Sequence, residues 1–582
     1  LVLPTHLLLY RWQNFLTGQT ISSPAMGNCQ STKPVVASNT PKNSNIKRPT
    51  KDPTSLQEGL LRERNLDVYS KYQQLEVLGQ GSMGQVVRVR LIDDPLKGSK
   101  LATDRNQILA STNSTSTISE KRYDKVEYGL KSIHTDRVSP QFLQELKNEI
   151  EILRKMDHPN IVKAHEVYHY KKHIYIILEL CDGGDLYSRL PYSEKRAATI
   201  TGKLMSAIKY LHDHGIVHRD LKFENIMFES KAEDAEIKLI DFGLSKKFLE
   251  HEAGLMYEGV GTLYSMSPQV LQGVYTSQAD LWSCGVITYM LLSSHRPFYH
   301  KERAVMIDRI MRVDYSFDKD YWDGISDEAK NFIDRLLVLD PQERMDAGQA
   351  LAHPWLSKEF PLSDRIPDQS TADAVQGNLV NYKEASQLKK IALNVIAHQS
   401  TTKEIAQLRK VFDQFDSGND GIITFEEFKS AMKQMNFADK EMQEIFDSID
   451  VNKNGCIMYT EFIAAALEAL GRIEEERVAD AFMRLDTDDS GYISKQNLRA
   501  FLGTEGTSER IDQLIKESDT DNDGRISYQE FLGMFRKDTK RLVKQLTGLQ
   551  AMMSLQPDDS LVGIDAKIPG GVYDSSMKSQ KL

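Results

Sequence analysis

The sequence predicts a chain of two unlike parts: an α+β two-lobed domain, then an all-α domain made of two pairs of helix-loop-helix units. Three observations predict it. At 582 residues the chain is too long for one hydrophobic core. Strand-like alternation begins near Tyr72 and gives way from about residue 141 to mostly helical patterns that run to Trp355, the order of an α+β fold. After residue 404 an internal repeat sets in, with acidic loops that start at Asp416, Asp450, Asp486 and Asp519.

The bulk numbers agree with a folded chain that gathers cations. The composition, 40% hydrophobic and 27% charged, is that of a globular protein, and a net charge of -10 argues against a nucleic-acid partner. Cys29, Cys181, Cys284 and Cys456 lie far apart with no metal-type spacing, which reads as a reducing, cytoplasmic setting. No stretch of about 18 apolar residues is present, so no spanning helix is expected.

In chain order, Leu7-Leu8-Leu9-Tyr10 lacks the basic start and long apolar core of a signal peptide. A start at Met26 reads better. Met26-Gly27-Asn28-Cys29-Gln30-Ser31 fits the N-myristoylation pattern M-G-x-x-x-S, and Cys29 can take a palmitoyl chain. Two acyl chains hold a membrane stably where one does so only marginally. Residues 1–25 then fall outside the mature protein; the alternative is a chance match with nothing modified. Residues 26–71 read as a flexible segment, since 32–66 are rich in Ser, Asn, Lys and Pro. A polar run at 111–117 marks a surface insertion, about 92–122, within the first sheet.

The first domain, 72–356, carries phosphate-handling residues in order. Leu78-Gly79-Gln80-Gly81-Ser82-Met83-Gly84-Gln85-Val86 is G-x-G-x-x-G-x-V between two strands. Glycine lets backbone N–H groups approach phosphate oxygens. A strand after the loop, where dinucleotide folds have a helix, disfavours a dinucleotide site. Lys131 sits on an apolar strand, where a cation can hold phosphates, and Glu149 on the next helix can pair with it; either residue alone would read as a solvated salt bridge. His218-Arg219-Asp220-Leu221-Lys222-Phe223-Glu224-Asn225 and Asp241-Phe242-Gly243 then follow, strings of high specificity in that order.

On these motifs residues 72–356 resemble a eukaryotic protein kinase domain. The resemblance implies that Asp220 is the catalytic base and that Lys222 stabilises the transferring phosphoryl group. It implies that Asp241 and Asn225 hold Mg²⁺ and that Lys131 and Glu149 form the nucleotide-positioning pair. It makes Leu178 the gatekeeper and Glu179 and Cys181 the adenine hinge. The lysine after His218-Arg219-Asp220-Leu221 resembles serine/threonine kinases. Asp185 and Glu224 match positions that face a basic residue upstream of the target hydroxyl. Two departures stand out. Glu258, four residues before Thr262, can pair with Arg219 in place of a phosphothreonine, or be a solvated loop residue. Ser267-Pro268-Gln269 replaces the family's Ala-Pro-Glu, so Arg344 meets an amide and not a carboxylate.

Residues 357–381 read as loop. In the 357–403 junction, Leu388, Ile391, Ala392, Val395 and Ile396 then share one helical face, with Lys389 and Lys390 beside it. The bland alternative is an ordinary packing helix. In 404–540 each loop is measured against the calcium pattern of oxygens at positions 1, 3, 5, 7, 9 and 12 with glycine at 6. The first offers Asp416, Asp420, Ile422 (backbone), Thr424 and Glu427, but Gly418 leaves position 3 without a side-chain oxygen. The second offers Asp450, Asn452, Asn454, Cys456 (backbone) and Glu461, with Met458 at position 9. The third offers Asp486, Asp488, Ser490, Tyr492 (backbone) and Ser494, but has Asn497 at 12; it is expected to be the weakest site. The fourth is complete: Asp519, Asp521, Asp523, Arg525 (backbone), Ser527 and Glu530. The tail, 541–582, has no assignable chemistry.

Kinase domain, junction helix and four EF-hands in this order resemble the calcium-dependent protein kinases of plants and protists. That resemblance implies a junction helix that blocks the substrate groove until calcium makes the EF-hands capture it. It implies ATP, Mg²⁺ and Ca²⁺ as cofactors, protein substrates, a monomer, and no need of external calmodulin. Shifting a switch from 1:99 to 99:1 takes about 5.5 kcal/mol. Four sites with tenfold preference supply that; three supply about 4.1 kcal/mol. The alternative reading is a calcium-responsive scaffold whose kinase fold is impaired at Gln269.

Overall fold

Alternating β-branched and aromatic residues build the first layer. In this computed structural model the described residues are 55–80, 84–92, 126–247, 256, 261–359, 369–435, 437–471, 473–503 and 506–536. The acylation pattern at Gly27 and Cys29, Gly81, Glu258, the insertion from 93 to 122 and the tail lie outside them. Strands β1 (Arg62–Arg64), β2 (Tyr72–Gln80), β3 (Gly84–Leu91), β4 (Glu127–His134), β5 (Ala164–Tyr170) and β6 (His173–Glu179) form one sheet in the order β1-β5-β6-β4-β3-β2. One face packs Val87, Val89, Leu130, Tyr168 and Ile177 together, while Ile133, Ile174 and Ile176 join the main core. Lys131 stands opposite Val86 on one side and Ile176 on the other, in the middle of the sheet.

Beside the sheet lies the Pro140–Lys155 helix. Ser139 caps it by accepting the Phe142 N–H at 3.1 Å, and Pro140 pre-sets its first turn. Leu146, Glu149, Ile150 and Leu153 recur on its buried stripe, so Glu149 is turned inward by the same spacing that packs its apolar neighbours. The second lobe is helical. Its central Gln278–Ser293 helix is buried along its length and packs with Trp322, Phe332 and Trp355 in the main core.

The third region has helices Ala406–Phe415, Phe425–Ala431, Asp439–Ile449, Tyr459–Ala466, Glu475–Leu485, Lys495–Leu502 and Ser508–Ser518. Short antiparallel ladders join Ile422–Thr424 to Cys456–Met458, and Tyr492–Ile493 to Ile526–Ser527. The four loops are thereby paired two and two over a phenylalanine-rich core.

Three expectations change. Residues 55–71 are not a flexible segment: Ser55–Leu60 is a helix, β1 runs parallel to β5, and Val68–Ser70 is a 3₁₀ turn. These elements are too short for periodicity to reveal, and Leu60, Leu61 and Val68 are buried only by tertiary contacts. Residues Gln369–Tyr382 are a helix, not a loop; Gly377 weakens its propensity, but Ala372 is buried and Val375, Leu379 and Tyr382 join the EF-hand core. The Gln387–Gln399 helix buries not one face but its whole circumference, Lys389, Lys390, Asn394 and His398 included. Among the described residues no helix is long and apolar enough to cross a membrane.

Candidate functional site

The sheet and the Pro140–Lys155 helix meet at a cation. Lys131 Nζ lies 2.6 Å from Glu149 Oε1 and 3.6 Å from Asp241 Oδ1. Burial alone would push this ammonium down, but the two carboxylates outweigh it and hold it above the usual lysine value. Asp241 behaves conversely: burial raises its proton affinity, and Lys131, His218, the Gly243 N–H and Lys222 together more than reverse that. Its backbone is left-handed, φ 63°, as is that of Arg219, φ 71°, a strain kept where surrounding bonds impose it. Gly84 is required by packing, because a Cβ there would fall 1.9 Å from the Ser132 carbonyl oxygen; a Cβ on Gly79 would meet nothing. Leu78 is exposed on β2, and Val86 lies directly opposite Gly79 across the β2–β3 ladder.

Asp220 is the hub of a second cluster. Its Oδ1 accepts from Thr262 at 2.8 Å, and its Oδ2 accepts from Lys222 Nζ at 2.5 Å. Asn225 donates its amide to the Asp220 carbonyl at 2.8 Å, which leaves the amide oxygen as the group that can meet a cation. That oxygen and the Asp241 carboxylate are hard donors, a set that fits Mg²⁺. Thr262 and Asp280 were not singled out from sequence. Asp280 is buried, and its two oxygens accept the N–H groups of His218, 2.9 Å, and Arg219, 3.0 Å, and the ring N–H of His212, 2.9 Å. It fixes the loop that presents Asp220. The available signal was a carboxylate inside an otherwise apolar helix.

The remaining kinase positions have defined partners. Glu179 turns its side chain away from the cleft. It meets Lys238 Nζ at 2.9 Å and Thr402 Oγ1 at 3.0 Å, and Lys238, with Lys163 and Arg409, overcomes burial to bring it down to about 2. Burial pushes the Cys181 thiol well up. Asp185 caps a 3₁₀ turn by accepting the Ser188 N–H at 3.1 Å. Glu224 is exposed and accepts from Tyr264 Oη at 2.8 Å. Arg344 Nη2 donates to Gln269 Oε1 at 3.1 Å, and Gln269 Nε2 donates to the Leu339 carbonyl at 2.6 Å.

The four acidic loops share one backbone form. Asn419, Lys453, Asp489 and Asn522 at position 4, and Gly421, Gly455, Gly491 and Gly524 at position 6, all have positive φ. In the first loop Asp416 accepts from Asp420 N and Gly421 N, and Glu427 accepts from Gly418 N at 2.7 Å and from Thr424. Asp420 Oδ2 also meets Lys209 Nζ of the kinase lobe at 3.1 Å. In the second, Glu461 accepts from Asn452 N at 3.1 Å, and Asp450 from Asn454 N and Gly455 N. The backbone N–H of Cys456, at position 7 of the loop, donates to Asn454 Oδ1. Burial, then the neighbouring carboxylates, raises the proton affinity of Asp416 and Glu461, as expected of acids converging on a cation site. In the fourth, one oxygen from each of Asp519, Asp521 and Asp523 lies within 4.8 Å of the others, and Glu530 closes on Thr520 and Ser527. The Arg525 N–H donates to Asp523 Oδ1 at 3.0 Å. These three loops fit Ca²⁺.

The third loop does not fit as well, because it satisfies itself. Asn497 Nδ2 donates to Thr487 Oγ1 at 2.9 Å and to Asp488 Oδ1 at 3.1 Å, while its oxygen accepts from Ser494. Ser490 Oγ is within hydrogen-bond distance of both Asp486 Oδ1 and the Tyr492 carbonyl, 3.1 Å each. An amide here spans a gap that a glutamate would leave to a metal ion.

The junction helix and the EF-hands are seated on the kinase lobe. Lys389 Nζ lies 3.0 Å from Glu468, Lys390 donates to the Ser448 carbonyl at 3.2 Å, and His398 donates to the Ala164 carbonyl of β5 at 3.2 Å. Burial brings Lys390 down to about 8. Asp157 of the kinase lobe caps the Tyr459–Ala466 helix, accepting Thr460 N at 2.9 Å and Oγ1 at 2.6 Å. Arg409 donates to Glu229 at 3.1 Å.

Comparison with known proteins gives the same two parts. Residues 111–356 match the protein kinase domain, and residues 405–467 and 475–536 each match the EF-hand domain pair. A calcium-dependent protein kinase 5 of Plasmodium falciparum is 36% identical over 402 residues, 67% of this chain and 70% of that protein. A calcium-dependent protein kinase 5 of Oryza sativa subsp. japonica is 39% identical over 422 residues, 71% of this chain and 76% of its own. A calcium-dependent protein kinase 12 of Arabidopsis thaliana is 39% identical over 403 residues, 68% of this chain and 81% of its own.

Proposed function

Because this chain belongs to the calcium-dependent protein kinases, we propose that calcium bound by its own EF-hands releases the junction helix from the substrate groove and so turns on phosphoryl transfer from ATP to serine or threonine. The observation that carries this reading is the junction helix itself. Gln387–Gln399 is buried in the EF-hand core, where Lys389 pairs with Glu468 and Lys390 donates to the Ser448 carbonyl, while His398 donates to the Ala164 carbonyl of β5. This placement supports a switch in which the EF-hands hold the helix away from the groove. The helix carries lysines that would suit an acidic groove once exposed.

In the catalytic half, Asp220 accepts the proton of the attacking hydroxyl, its carboxylate aimed by Thr262, Lys222 and Asn225. Lys131, braced by Glu149, holds nucleotide phosphates, and Lys222 stabilises the moving phosphoryl group. Asp241 and Asn225 would hold Mg²⁺, which would supply charge neutralisation to the phosphates. Asp185 and exposed Glu224 favour substrates with a basic residue before the target. The domain limits follow: kinase 72–356 with an ordered lead from 55, junction 357–403, EF-hands 404–540. Acylation at Gly27 and Cys29 would hold a cytoplasmic, monomeric enzyme at a membrane surface, and mass spectrometry of the native N-terminus tests it.

The deciding experiment is transfer of phosphate from ATP to a basic peptide, with calcium or with chelator. Strong calcium dependence is expected; equal turnover in both removes the switch.

A further inference from the structure

Leu60 and Leu61 are adjacent in the chain yet buried in different cores. Leu60 packs among EF-hand side chains, and Leu61 packs among kinase side chains. We propose that residues 55–64 are a clasp through which the third EF-hand positions the helix that carries Glu149. The inference rests on the kinase reading of Lys131 and Glu149 given above.

The clasp has a grip at each end. On the EF-hand side, Gly59 lies so near the Lys495–Leu502 helix that a Cβ would fall 2.2 Å from the Phe501 carbonyl oxygen. Arg62 donates to the carbonyls of Met483, 3.1 Å, in the last turn of the helix entering the third loop, and of Thr487, 3.0 Å, in the loop itself. Arg484 returns the contact by donating to the Leu60 and His165 carbonyls at 3.3 and 3.2 Å. On the kinase side, Arg154 donates to the carbonyls of Glu58, 3.3 Å, and Leu61, 3.2 Å, and also pairs with Glu63. Lys155 Nζ lies 3.3 Å from Glu58. Arg154 and Lys155 form the last turn of the helix whose buried stripe holds Glu149. A shift of the clasp therefore moves that helix end, and with it the carboxylate that braces Lys131. The dock does not wait for metal, because Asn497 closes the third loop with its own amide.

Two substitutions in the full-length chain test this. Gly59→Val forces a side chain against the Phe501 carbonyl, and Arg62→Met removes two hydrogen bonds without added bulk. At saturating calcium and ATP, each is expected to lower kcat roughly tenfold with the peptide KM unchanged. Calcium binding by calorimetry should stay as in the parent, and hydrogen exchange should rise in residues 140–155 ahead of the rest of the kinase lobe. The clasp is overturned if either variant keeps kcat within about twofold of the parent, or if exchange rises throughout the lobe as in general destabilisation. A parent chain that transferred no phosphate would strike the functional reading instead, and the exchange pattern would still decide the clasp.

Discussion

Replacing Gln269 by glutamate is expected to stabilise the kinase lobe. Arg344 is 2% exposed, and its partners in that lobe are neutral: Gln269 Oε1 and the carbonyls of Gln278 and Val338. Burial brings this guanidinium from its ordinary 12.5 down to about 10, with only a weak opposing pull from Asp340. A fall of that size corresponds to about 3 kcal/mol held against the charged form. A carboxylate in place of the amide recovers much of it. It also surrenders the Gln269 Nε2 bond to Leu339, about 1 kcal/mol, and bears its own desolvation. The net expectation is a gain of about 1–2 kcal/mol, or roughly 3–6 °C in the melting temperature of a lobe this size. Gln269→Ala should move the other way by about 1–3 kcal/mol, because it strips an acceptor from a buried charge. The burden is present at every pH below about 10 and is relieved as pH climbs through that value, so Gln269→Glu should also flatten the alkaline limb of the stability profile. Differential scanning calorimetry of the full chain reads both. A glutamate variant that melts at or below the parent refutes the premise that Arg344 lacks a counter-charge.

Asp220→Asn should cut phosphate transfer by about 10²–10⁴-fold while ATP binding by calorimetry persists; retained turnover would remove the base assignment. The parent should bind one calcium ion fewer than it has loops, and Asn497→Glu should restore the missing ion in a calorimetric titration. Glu179, brought to about 2 by Lys238 and Lys163 despite burial, supports the fold above the ordinary glutamate value of 4.5 and loses that support as pH falls toward 2. Glu179→Gln should therefore weaken docking of Thr402 at neutral pH, seen as faster exchange around residues 400–405, and should remove that part of the acid transition. Asp157→Ala should cost about 1–2 kcal/mol by uncapping the Tyr459–Ala466 helix, read as a lower melting temperature and weaker calcium response.

Residue order alone settled a good deal. Glycines, lysine, Asp220, Asn225 and Asp241 are recognisable because phosphoryl transfer needs those groups at those spacings. The loops are recognisable because a calcium ion demands oxygens at set positions. The departure of the third loop from the calcium pattern was visible in one letter, Asn497; that its amide stitches the loop shut was not. Tertiary structure alone decided the rest. Asp280 and Thr262 matter because distant segments converge on Asp220, and no local pattern marks that convergence. The helix at Gln369–Tyr382 and the lead at 55–64 have weak intrinsic signals and exist because neighbours bury them. Lys389 and Lys390 read as neighbours of an apolar stripe, and that both are buried was not legible, because periodicity reports which residues share a face but not how many faces a partner covers.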